Sequence, residues 1–112
     1  MLEGKQDLLV SECQRSSIPD VCVAVIAVQV KYETKFGSLG TGAKYKNLTG
    51  IRDEKVWRSY DTYEDSIKDT VKLFIDGNYQ DYFTIYGLES GLQKYLARWG
   101  TNQYNTIHAE LF

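Results

Sequence analysis

The chain has 112 residues, 43% of them hydrophobic and 25% charged, with a formal net charge of −2. That length is expected to make one domain, residues 1–112, with room for one modest core, and the composition excludes a largely disordered chain. No basic patch points to nucleic acid, no polybasic stretch points to a membrane surface, and Val21–Val30 is too short an apolar run to cross a bilayer.

In chain order, "KQDLLVSECQRS" places Leu8, Leu9 and Cys13 at helical spacing. "SIPD" interrupts it, because Pro19 disfavours helix at Ile18, and Pro19 or Asp20 opens the next helix. That second helix is predicted to run to about Thr34. It is apolar on nearly every side, the pattern of a buried helix. "FGSLGTGAKYKNLTG" is glycine-rich and reads as a loop. "GIRDEKVWRSYD" sets Ile51, Val56 and Tyr60 around a charged tip and reads as a short hairpin or irregular extended segment.

Asp61 or Thr62 is expected to cap the next helix, with Thr62 and Asp65 in a capping pattern. Ile67, Val71, Phe74 and Ile75 form its apolar face, and Gly77 and Asn78 end it. "YQDYFTIYG" is a short aromatic helix or turn. "LESGLQKYLARWG" is a helix carrying Leu88, Leu92, Tyr95, Leu96 and Trp99, stopped by Gly100. "NQYNTIHAELF" is the last helix, with Tyr104, Ile107, His108 and Leu111 on one face. The predicted fold class is mainly α, with a small extended or hairpin segment.

Cys13 and Cys22 are nine positions apart and have no nearby third or fourth ligand, so a zinc site is not expected. They are read as small core residues rather than a disulfide. Ser66 lacks a His–Asp pair and reads as part of a helix start rather than a nucleophile. His108 reads as a partly buried helix residue.

Glu33 is the residue with chemical promise. It ends a buried helix, where burial and the helix dipole both disfavour its charged form. A protonated carboxyl at the edge of a cleft is what cleavage of a glycosidic bond requires. Against this stands the plain reading of a solvated helix end. The neighbourhood weighs for chemistry. Gln29, Glu33, Thr34 and Gly37 are followed by Asn47-Leu48-Thr49-Gly50-Ile51, then by Trp57, Arg58, Tyr60, Glu64, Ser66 and Ile67, then by Tyr95 through Tyr104.

This ordered set resembles the bacterial and phage glucosaminidases of glycoside hydrolase family 73, which cleave peptidoglycan. The resemblance covers almost the whole chain. It implies a small lysozyme-like α lobe, with the cleft beside the helix that ends in the acid. It implies Glu33 as general acid and Tyr104 as its partner near the substrate N-acetyl group. Gln29, Asn47, Gly50, Trp57 and Tyr95 are the expected substrate-binding positions, with Trp57 stacking on a sugar and Tyr60 packing. No metal or cofactor is implied. The expected partner is the peptidoglycan glycan strand, with neither nucleic acid nor membrane, in a setting that can include a larger cell-wall or phage assembly. The expected location is extracellular, in the cell wall or on a phage virion. No signal peptide is visible, so export is expected by another route or within a longer chain.

Two departures stand out. Thr49 occupies a position usually held by Phe. The stretch from Ile51 to Trp57 leaves almost no room for the inserted β lobe that often bears a second acid, so only Asp53 and Glu54 lie there. The expected activity is an endo-β-N-acetylglucosaminidase. The alternatives are a lytic transglycosylase or muramidase of the same architecture, or a catalytically dead glycan-binding or assembly module.

Overall fold

The computed structural model describes residues 5–34, 45–53, 56–100 and 103–112, with the side chains of Glu33, Thr34, Asp53 and Trp57 outside the described part. The elements are α1 (Gln6–Cys13), α2 (Pro19–Thr34), β1 (Arg52–Asp53), β2 (Val56–Trp57), α3 (Tyr63–Asp76), α4 (Asp81–Tyr86), α5 (Leu88–Trp99) and α6 (Tyr104–Leu111). The class is mainly α, as expected.

α2 is buried as its composition requires. Cys22, Val25, Ile26, Gln29 and Val30 are sealed from solvent, and Val21, Val23, Ala27, Val28 and Tyr32 pack partly buried around them. Pro19 stands at the first helical position, where its missing N–H costs nothing. The turn before it is held from a distance: the Ser16 hydroxyl donates to Gln80 Oε1 at 2.7 Å and accepts from the Ile18 N–H at 3.1 Å.

That turn overturns the reading of the cysteines. Cys13 and Cys22 are fully buried, but they are joined as a disulfide. The Pro19 turn folds α2 back on α1, which brings their Cα atoms to 5.8 Å, inside bonding range. Spacing along the chain carries no trace of this, because the approach depends on the turn. A loop of this size is stabilised by roughly 2–3 kcal/mol through chain entropy. Replacing both cysteines by Ala is therefore expected to lower unfolding stability by about that amount, read from denaturant titration of the oxidised protein and the variant.

α3 begins as predicted: Thr62 is its N-cap and accepts from the Asp65 N–H at 3.1 Å. Ile67, Val71 and Phe74 are buried, with Ile75 partly so. Asn78 takes the left-handed conformation that ends it. α4 and α5 meet closely at Gly91, where a Cβ would stand 2.6 Å from the Tyr82 carbonyl oxygen, so only glycine fits. Gly100, with φ of 90°, caps α5.

At the centre is Tyr95. Its ring makes edge or tilted contacts with Phe74, Tyr79, Phe83 and Trp99 at centroid separations of 5.5–5.7 Å. The β strands form one antiparallel hairpin, with Arg52 opposite Trp57 and Asp53 opposite Val56. The extended segment is thus a hairpin of two-residue strands.

Candidate active site

Glu33 is the next-to-last residue of α2. Its side chain lies outside the described residues, and what positions it is the helix behind it. One turn earlier, Gln29 is completely buried and its Oε1 accepts from the Tyr95 hydroxyl at 2.6 Å. Gln29 Nε2 has no hydrogen-bond partner among the described residues. Beyond Gln29, Lys31 Nζ and the Tyr32 hydroxyl both reach Glu110 at 2.8 Å, tying the last turns of α2 to the last turn of α6. Those bonds, Lys31's first and Tyr32's second, hold the Glu110 carboxyl below the ordinary carboxylate range.

The Gln29–Tyr95 bond yields a clean test. Tyr95→Phe keeps the packed ring but leaves the buried Gln29 amide without a side-chain partner among the described residues. A buried orphan of this kind costs about 1–3 kcal/mol. The Tyr95→Phe protein is expected to lose stability on that scale in chemical denaturation. Adding Gln29→Leu should restore part of it, since removing both polar partners is far cheaper than removing one.

Asn47 is the organiser of the turn before the hairpin. Its Oδ1 accepts from the N–H groups of Gly50 and Ile51 at 3.0 Å, and its Nδ2 donates to the carbonyls of Ile51 and Arg58 at 2.8 and 2.9 Å. All four hydrogen-bonding positions of the amide are filled. The Asn47 side chain is therefore committed to shaping the backbone of this turn. Gly50 follows with φ of 76°, a conformation that suits glycine.

The turn is also gripped from two helices. Ser66 Oγ accepts from the Leu48 N–H at 2.9 Å, and Trp99 Nε1 donates to the Thr49 carbonyl at 2.6 Å. Thr70 gives its proton to the Ser66 carbonyl, so the Thr49 hydroxyl donates to Thr70 Oγ1, at 2.7 Å. Thr49 is 1% exposed. A hydroxyl in place of Phe is thus matched by a hydroxyl on α3. Ser66 and Thr70 stand one helical turn apart on α3.

After β2, the Arg58 guanidinium and the Tyr60 hydroxyl both bond to Asp69 Oδ2 on α3. Burial, and then the bond to Asp69, push the Tyr60 hydroxyl above the ordinary tyrosine range, so it stays a donor. Tyr60 is a tether between hairpin and helix.

A cavity of about 300 Å³ opens beside this segment, with Gly50, Arg52, Arg58, Tyr79, Arg98 and Trp99 on its wall. Of the expected site residues whose side chains are described, Gly50 lines it. Arg52 and Arg98 were not singled out from the sequence, because the hairpin and α5 that carry them are far apart along the chain.

The other expected positions are distributed as follows. Tyr95 is fully buried, with its hydroxyl on Gln29. Tyr104 begins α6, packs partly buried against the core, and has its ring 5.4 Å from His108. Its hydroxyl has no hydrogen-bond partner among the described residues. The ties from α2 fall at the opposite end of α6 from Tyr104. Trp57 lies in β2 by its backbone, and the side chains of Trp57 and Asp53, with Glu54, lie outside the described residues. The structure thus joins Gln29 to Tyr95 directly, and gathers Asn47 and Gly50 in one turn.

The glucosaminidase family model, described as mannosyl-glycoprotein endo-β-N-acetylglucosaminidase, matches residues 9–109. No curated protein and no solved structure matches the chain. The family match begins in α1 and ends in α6, taking in the buried helix, the Asn47 turn, the hairpin and every later helix. The chain belongs to the glucosaminidase family of glycoside hydrolases.

Proposed function

We propose that the protein cleaves the glycan strand of peptidoglycan at a β-1,4 bond as an endo-β-N-acetylglucosaminidase, with Glu33 as general acid. The observation that carries this is the family match over 9–109, together with the position of Glu33 in the last turn of the buried α2. Glu33 is carried in the last turn of α2, and the Gln29–Tyr95 bond one turn earlier anchors the helix behind it, which supports the reading. The acid protonates the departing glycosidic oxygen. Asn47 and Gly50 shape the adjoining floor through the backbone. Tyr104 is the proposed partner for the substrate N-acetyl group, and Trp57 a stacking residue.

The Cys13–Cys22 disulfide supports a site of action outside the reducing cytosol, in the cell wall or on a virion. A wall-clearing assay with purified sacculi tests the activity. The reducing-end sugar of the products names the bond: N-acetylglucosamine at the new reducing end supports the proposal. N-acetylmuramic acid would mean a muramidase, and an anhydro end a lytic transglycosylase.

The hairpin bears on how water or another nucleophile attacks. Its strands have two residues each, so little structure is available to fix a second acid. The proposal gives Asp53 and Glu54 no more than the part of solvated charges, each worth under about 1 kcal/mol, less than a tenfold change in rate. Asp53→Asn and Glu54→Gln are each expected to keep more than about a tenth of the lytic rate. A loss as deep as that of the Glu33 variant would identify a second carboxylate and an inverting mechanism.

A further inference from the structure

We infer that the cavity between the hairpin and the C-terminal end of α5 is a carboxylate-binding subsite for the acidic stem peptide carried by peptidoglycan, an assignment that rests on the substrate proposed above. Two parts of the chain distant in sequence bring arginines to its wall: the hairpin segment, with Arg52 in β1 and Arg58 just after β2, and α5, with Arg98. No Asp or Glu stands among the described residues of its wall. The whole chain carries a net charge of −2, so this gathering of cations is local.

Asp69 offsets one of the three charges. It bonds Arg58, and the Tyr60 hydroxyl shares the same oxygen. The surplus rests on Arg52 and Arg98. Arg98 is already oriented: its Nη1 donates to the Gly77 carbonyl at 2.8 Å, and its guanidinium lies 4.0 Å from the centre of the Tyr79 ring. A guanidinium has five N–H donors in a planar fork that matches a carboxylate, and the Gly77 bond uses one. Arg52 reaches across to α5's cap. Its Nη2 lies 3.1 Å from where a Cβ on Gly100 would stand, so the glycine leaves space for it.

Like charges brought together repel, and an anion between them reverses that cost. The aromatic wall adds a second recognition element. Tyr79 and Trp99 meet edge to face, with centroids 4.9 Å apart, on the same wall as the cations. A cavity of about 300 Å³ takes a short acidic group rather than a polymer strand. Peptidoglycan differs from other β-1,4 glycans in bearing peptides with free carboxylates along the strand. A pocket with paired arginines beside an aromatic wall would select it by that feature.

Isothermal titration calorimetry on the intact protein tests this with three probes: a disaccharide–peptide fragment with free carboxylates, the same fragment with its carboxylates amidated, and inorganic phosphate. The wild-type protein is expected to bind the acid form at least about tenfold more tightly than the amide form, the scale of a charge-assisted hydrogen bond. Arg52→Gln should reduce that preference, and Arg52→Gln with Arg98→Gln should bring it close to one. A melting curve for each variant separates lost folding from lost binding, and Arg52→Gln touches no buried bond. Equal binding of acid and amide forms by the wild type, or an unchanged preference in a folded Arg52→Gln protein, would overturn the subsite. Phosphate bound as tightly as the acid fragment would overturn the peptide as its ligand. Wall clearing is a separate readout: lysis with no acid preference removes the subsite alone, and acid preference with no lysis removes the glycosidase reading alone.

Discussion

Glu33→Gln is expected to lower wall-lytic turnover at least about a hundredfold while the protein stays folded. The amide is nearly the same size as the carboxyl but has no proton to give to the leaving oxygen. The location of Glu33 sharpens the expectation about stability. It stands at the C-terminal end of α2, where the helix dipole repels an anion by about 0.3–1 kcal/mol. A general acid is neutral when it acts, and a neutral Gln meets the dipole as the protonated carboxyl does. The variant should therefore melt close to the wild-type temperature, while turnover collapses. Lost activity at unchanged stability is the mark of a residue kept for chemistry. Near-normal lysis by the folded variant would remove Glu33 from the reaction. A variant that unfolds would show that the carboxylate is a structural partner instead. Turnover on sacculi and a thermal melt, measured on the same preparation, decide between these.

The elements that could be read from the sequence are those set by neighbours along the chain. The Thr62 cap bonds three residues ahead, Gly100 ends its own helix, and the all-round apolar pattern of α2 implies burial whatever surrounds it. What could not be read depends on approach between distant segments. Cys13 and Cys22 pair only because the Pro19 turn brings two helices together. Thr49 looks like a departure from the pattern until Thr70 is seen against it. The side chain of Asn47 is filled by groups from both ends of the hairpin segment, including the Arg58 carbonyl eleven residues on. The arginine-lined cavity belongs to the same class, since β1, the exit of β2 and α5 meet only in the folded chain. The position of the candidate acid was legible because a helix end is a local feature. The partners of the helix behind it were not, because Tyr95 of α5 and Glu110 of α6 lie far along the chain.

Two tyrosines of this fold should respond to the same substitution in opposite ways. Tyr95 spends its hydroxyl on buried Gln29, so losing it is felt in stability. Tyr104 is partly buried, and its hydroxyl bonds to nothing among the described residues. Tyr104→Phe keeps the ring and its contact with His108 and breaks no described bond. The melting temperature should therefore be close to that of the wild type. Turnover is expected to fall by roughly ten- to a thousandfold, the scale for one donor aimed at charge that develops in the transition state. The proposed mechanism gives that donor a task. In the substrate-assisted form of that mechanism, the acetamido group of the substrate is the nucleophile, and it gathers charge as it attacks. A tyrosine hydroxyl that holds this group stabilises the transition state more than the ground state, so the loss should appear in kcat more than in KM. The ties from α2 reach α6 at its far end, so Tyr104 is expected to act on the substrate and not through contact with Glu33. A Tyr104→Phe protein that lyses walls at the normal rate would show the hydroxyl to be idle. One that loses stability as Tyr95→Phe does would show it to be structural. Either result removes the support that this chain offers for substrate-assisted cleavage.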